Sequence, residues 1–120
     1  MKKTQRQVDS LYELLKEQAE IENNINALPR GYISVKKISG HVYNYRQWRE
    51  GSKIISEYVP DAFLNGVKRK IAARKEQEAL LKAVKKDIKL VTRQVLKAQL
   101  LTEEEIEDLK AKAKAEVEAE

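Results

Sequence analysis

Hydrophobic residues repeat with two different periods along this chain, and the order of those periods limits the folds open to it. Leu11, Leu14, Gln18, Ile21, Ile25 and Leu28 recur in alternating steps of three and four, the spacing of a helical seam. Gln18 is the polar interruption in that seam, a device that fixes register at some cost in stability. No Pro or Gly interrupts Thr4 to Leu28, and Pro29 and Gly31 then stop the helix. From Tyr32 to Val59 the texture changes to β-branched and aromatic residues, punctuated by Ser39-Gly40 and Glu50-Gly51. Tyr32–Ile38, Val42–Arg49 and Lys53–Val59 have strand length, and each glycine suits a hairpin turn, so a three-stranded antiparallel meander is expected. A trio this small needs a helix against one face.

Helical spacing returns at Leu81, Val84, Ile88, Val91, Val95 and Ala98. Pro60-Asp61 suits the opening of this helix, because proline fits a first turn and aspartate complements the dipole. Asn65-Gly66 is a candidate bend. Thr102-Glu103-Glu104-Glu105 reads as a capping box ahead of Ile106, Leu109 and Ala113, so the chain is expected to turn at 101–102 and start a new helix. The expectation is an α+β fold of order helix-β-β-β-helix-helix: long coiled-coil-like helices with a small antiparallel meander. One elongated domain would hold an N-terminal helix (1–29), the meander (30–59), a long basic helix (60–101) and a short acidic helix (102–120).

Strand alternation places Tyr43, Tyr45 and Gln47 on one side of the sheet and Asn44, Arg46 and Trp48 on the other. Ile33, Val35, Tyr43, Tyr45, Ile54 and Tyr58 are expected to face the helices, leaving Lys36, Arg46, Trp48 and Lys53 toward solvent. A one-residue change of register at either turn inverts part of that assignment. Trp48 reads equally as core or as an exposed anchor.

Charge is partitioned along the chain. The formal net charge is +5, but residues 30–59 carry +4 and 66–100 carry +8, against −1 over 1–29 and −5 over 101–120. Such asymmetry points to a polyanionic partner for the middle of the chain; the competing explanation is a solvated helix face balanced by its own tail. Lys68, Lys75, Lys82, Lys86, Lys89 and Arg93 fall off the apolar seam of the long helix.

Catalysis finds little support. There is no Cys, which excludes disulfides, thiol nucleophiles and Cys-ligated metals, and His41 is the single histidine. His41 lies at a hairpin turn, where a structural or nucleic-acid contact role fits better than general-base work. Glu103–Glu105 fits helix capping better than metal binding. No phosphate-cradling glycine loop is present. No apolar run approaches the ~18 residues of a membrane span, and none follows the basic start Met1–Arg6, so a secretory signal is not expected. The expectation is a cytoplasmic, non-enzymatic protein without cofactor or metal.

Binding is the stronger class. Lys and Arg neutralise phosphates while aromatic faces stack exposed bases, so Lys36, Arg46, Trp48, Arg49 and Lys53 of the sheet and Lys68, Arg69, Lys75, Lys82, Lys86 and Lys89 of the helix are candidate contacts to RNA or DNA. The alternative class is protein recognition. The helical seams could pair within the chain, in a homodimer, or with a partner such as a nuclease.

The run Leu28-Pro29-Arg30-Gly31-Tyr32-Ile33, then Gly40, Tyr43-Asn44-Tyr45, Arg49-Glu50-Gly51-Ser52-Lys53 and Ser56-Glu57-Tyr58 resembles a family. It is similar to small, functionally uncharacterised proteins of Firmicutes and their plasmids and phages, in which such a core sits between two charged helices. The likeness covers about residues 25–100. Some relatives place a cysteine cluster between the first two strands, and this chain has none, so no metal role carries over. More loosely, the meander resembles the arm-site DNA-binding domain of phage-type tyrosine recombinases, whose basic, aromatic sheet enters the major groove; Lys36, Arg46, Trp48 and Lys53 are the positions here suited to that part, although this chain carries helices on both sides and no recombinase catalytic domain. That likeness implies an accessory nucleic-acid-binding protein of a mobile element. The alternative is an inhibitor of the anti-CRISPR kind that binds a Cas nuclease and blocks its guide RNA or DNA binding.

Overall fold

A computed structural model describes residues 3–120; Met1 and Lys2 of the basic start lie outside the described residues. Helix α1 (Lys3–Asn26) is followed by strands β1 (Tyr32–Ile38), β2 (His41–Glu50) and β3 (Lys53–Val59), then helices α2 (Asp61–Lys97) and α3 (Glu103–Glu118). The fold is α+β, with the sheet in the order β1-β2-β3 and both pairings antiparallel. The chain gathers into two compact units, one of residues 25–77 and one of residues up to Asn24 together with Glu78–Glu120. Among the described residues, no helix is long and apolar enough to cross a membrane.

The unit of residues 25–77 holds the sheet and the adjoining ends of α1 and α2. Two-residue turns fix its register. Ser39 and Gly40 take φ of 50° and 81°, the pair of positive angles whose twist matches a hairpin. Ile38 therefore faces His41, Ile33 faces Arg46, and on the other side Val59 faces Asn44. Ile25, Asn44, Val59 and Ile71 are buried. Arg74 of α2 donates from Nη1 to the carbonyls of Ile25 (3.0 Å) and Leu28 (2.7 Å). These are oxygens at the end of α1, whose last turn has no basic residue of its own. A cation there satisfies orphan carbonyls and complements the negative end of the helix dipole.

The other unit is three-helical. Leu11, Leu15, Ala19 and Ile21 of α1, Val84, Ile88 and Val95 of α2, and Ile106, Ala113 and Val117 of α3 are buried. Of the expected α1 seam, Leu11, Ile21 and Ile25 are buried and Leu14, Gln18 and Leu28 only half-buried; Leu15 and Ala19 are buried in addition, on the side that α3 adjoins. Tyr12 donates its hydroxyl to Glu116 of α3, and Lys16 pairs with the same carboxylate at 3.3 Å. Lys16 and Lys112 lie over the Tyr12 ring, 5.9 and 5.6 Å from its centroid.

Helix α2 runs through Asn65-Gly66 without a break. It ends at Lys97, short of the expected 101, because Gln99 turns left-handed at φ 57°. The amides of Gln99 and Leu100 reach back to the carbonyls of Leu96 and Val95, each at 3.0 Å. This closing motif usually takes glycine, so nothing in the residue types announced it. Thr102 then caps α3: its Oγ1 accepts from the Glu105 amide at 3.2 Å, and its own amide donates to Glu105 Oε1 at 3.0 Å. Thr102→Ala is expected to lower the unfolding free energy by about 0.5–2 kcal/mol in urea titrations followed by circular dichroism. A value within error of zero would show that the cap is energetically idle.

Candidate nucleic-acid interface

Pairing register decides what each sheet face carries, since residues opposite one another across strands share a face. Asn44, Arg46, Trp48 and Glu50 of β2 share theirs with Ile33, Val35 and Lys37 of β1 and with Lys53, Ile55, Glu57 and Val59 of β3. This is the covered face in its part around Asn44 and Val59: Asn44 is 8% exposed, Val59 is buried, and Ile33 and Ile55 are half-buried, while Val35, Lys37, Lys53 and Glu57 at its margins are exposed.

The expected facing is thereby corrected. Tyr43, Tyr45, Ile54 and Tyr58 do not form the inner face, and Arg46 and Trp48 are not free at the surface. Ile33 and Val35 cannot join the tyrosines, because the two-residue turn aligns them with Arg46 and Asn44. Of the aliphatic side chains on the Arg46 side, Val59 is buried and Ile33 and Ile55 are half-buried, while Val35 stays 63% exposed.

Arg46 and Trp48 are committed to structure. The Arg46 side chain, 14% exposed, places its guanidinium 3.8 Å from the Trp48 ring centroid. It also donates to the Arg30 carbonyl at 2.7 Å and lies 3.7 Å from Glu57. Trp48 Nε1 donates to Glu50 at 2.9 Å, and Glu50 pairs with Arg30 at 3.4 Å. Two arginines and two glutamates cancel here, so this cluster has no surplus charge for a phosphate. Lys53 remains exposed beside the second turn, on the same face.

The opposite face is open. Tyr32, Ser34, Lys36 and Ile38, then His41, Tyr43, Tyr45, Gln47 and Arg49, then Ile54, Ser56 and Tyr58 share it. None is acidic, because both glutamates of the strands that could offset it, Glu50 and Glu57, lie on the covered side. Tyr58 is 52% exposed and meets the rings of Tyr43 and Tyr45 edge-on, with centroids 6.3 and 5.8 Å away. Lys36 Nζ stands 4.7 Å from the Tyr45 centroid. Tyr32, also 52% exposed, donates its hydroxyl to Gln47 Oε1 at 3.0 Å, and Gln47 donates to Ser56 Oγ at 2.7 Å. A polar chain thus spans all three strands and holds Tyr32 in place.

Of the candidate contacts, Lys36 and Arg49 fall on this open face and Arg46, Trp48 and Lys53 do not. Lys68, Arg69 and Lys75 are exposed on the part of α2 belonging to the sheet unit. Lys82, Lys86 and Lys89 belong to the helical unit, exposed along one stripe of α2 at the spacing of successive turns. None of these six has an ion-pair partner among the described residues. Residue type alone points Tyr43, Tyr45 and Tyr58 to the wrong face and is silent on Tyr32; the two-residue spacing of Ser39-Gly40 is the signal that places them. Among the described residues, no group of three or more His, Cys, Asp or Glu side chains is arranged to hold a metal ion.

An α+β protein is thus defined by a helix, an antiparallel meander with one covered and one open face, and two further helices. The chain belongs to the family described as a domain of unknown function, DUF6788, whose model matches residues 5–69. That span takes in most of α1, the whole sheet and the first turns of α2. No curated protein and no solved structure matches the chain.

Proposed function

We propose that this chain is a non-enzymatic nucleic-acid-binding protein, an accessory of a mobile genetic element as its sequence resemblance implies. The observation that carries this reading is the open sheet face. It is free of acidic residues, holds Lys36 against Tyr45, and displays tyrosines whose π-faces are available to bases. Arg49 adds charge on the same face. The unpaired cations of α2, Lys68, Arg69 and Lys75 in one unit and Lys82, Lys86 and Lys89 in the other, suit phosphate contacts, which supply affinity without sequence choice. Arg46, Trp48 and Lys53 drop out of the binding surface.

Fluorescence anisotropy with labelled RNA and DNA oligonucleotides tests this directly. Log affinity is expected to fall linearly with log salt, by about 0.7 per neutralised phosphate on single strands and about 0.9 on duplex DNA. Lys36→Gln with Arg49→Gln should weaken binding and flatten that slope. Absence of binding to any RNA or DNA at low ionic strength would remove the reading and leave recognition of a protein partner in its place.

A further inference from the structure

The tyrosines of the open sheet face differ in how firmly they are held, and the difference says what they can accept. Tyr58 is gripped edge-on by Tyr43 and Tyr45, yet half of its surface is free. Tyr32, at the other edge of the sheet, is pinned through its hydroxyl to Gln47 and is equally exposed. Both rings are therefore oriented in advance, so ordering them on binding costs little. Tyr32 pairs with Gln47 and Tyr58 with Tyr45. The two are thus two strands apart and offset by two residues, a separation of about 12 Å at usual sheet spacings. Bases stacked in a duplex follow one another at about 3.4 Å along each strand, and their faces are covered by their neighbours. A duplex therefore offers nothing for these two rings to stack on. A strand with its bases splayed apart does.

We infer that the open sheet face takes single-stranded nucleic acid, with one base stacked on Tyr58, a second on Tyr32, a phosphate between them met by Lys36 over Tyr45, and a phosphate beyond the Tyr32 row met by Arg49. This rests on the nucleic-acid reading above and narrows it to unpaired strands. The charge of the face fits that occupant: Lys36 is already poised over Tyr45, next to Tyr58, and no carboxylate on the face opposes a phosphate. Trp48, the aromatic residue that residue type alone would favour for stacking, is on the far side beneath Arg46.

The test uses the full chain with labelled oligo-uridine, oligo-thymidine and a short mixed-sequence duplex. Both single strands are expected to bind more tightly than the duplex; the uridine and thymidine arms show whether RNA or DNA is preferred. Tyr58→Ala should weaken single-strand binding by roughly 5- to 150-fold, the range for one lost base–aromatic stack, while Tyr58→Phe, which keeps the ring, should stay close to the parent. Tyr58→Leu preserves apolar bulk against Tyr43 and Tyr45, so it separates loss of stacking from loss of fold, and circular dichroism on each sample checks the sheet. Duplex binding as tight as single-strand binding, or a folded Tyr58→Leu that binds like the parent, would overturn the stacking inference and leave nucleic-acid binding standing. Failure of every oligonucleotide to bind would overturn both.

Discussion

Gly31→Ala is expected to be among the most damaging single substitutions in the sheet unit, lowering its stability by about 3–5 kcal/mol or preventing its folding. Gly31 sits at φ 106°, and a Cβ added there would stand 2.1 Å from the Gln47 carbonyl oxygen and 3.1 Å from Trp48 Cβ. The first atom belongs to the backbone of the central strand and cannot swing aside. Relief would require β1 to separate from β2 where Tyr32 pairs with Gln47. Urea unfolding followed by Trp48 emission reads the effect where it arises, because the indole adjoins the collision. A midpoint equal to that of the parent protein would show that the β1–β2 junction is not packed as described.

Leu11→Ala is expected to cost the helical unit about 2–5 kcal/mol, the range for emptying a fully enclosed leucine site. Leu11 and Val95 are each 0% exposed, and α1 is also held to α3 by the contacts of Tyr12 and Lys16 with Glu116. Those contacts limit how far the helices can close over the space left behind, which places the cost toward the upper part of the range. The thermal midpoint and the urea midpoint should both fall. A loss below about 1 kcal/mol would mean that the core is not organised around this side chain.

Local signals place the strands and the α3 cap, though Asn65-Gly66 makes no bend and α2 stops short of its expected end; what depends on two distant segments is not legible. β1 and β3 match their expected limits, and β2 is longer by one residue at each end. The Thr102 cap was readable because all of its groups lie within four consecutive residues. The facing of the sheet was not readable from residue type, since tyrosine is equally at home in a core or on a surface; only cross-strand pairing joins Ile33 to Arg46 and Val59 to Asn44. Arg74 illustrates the same limit: nothing near it in sequence marks a guanidinium that serves carbonyls 46 and 49 residues earlier. The candidate surface shifted for this reason. Charge alone marks its cations Lys36 and Arg49, whereas residue type turns the rings of Tyr43, Tyr45 and Tyr58 inward and Arg46 outward and leaves Trp48 open, and only the register sets them right.

A three-stranded meander has two rims, and among the described residues neither β1 nor β3 has a strand beyond it. Rows of unsatisfied amides and carbonyls along such rims invite another chain to add itself, and charged side chains discourage it. Lys36 and Lys37 stand side by side on β1, and Lys53 and Glu57 on β3, with Pro60 just past the end of that strand. Lys36 therefore answers to two demands, the recruitment of a polyanion and the refusal of a second copy of the sheet. Neutralising it relaxes both together, so a Lys36 variant that binds oligonucleotides poorly should also be watched for growing particle size in light scattering.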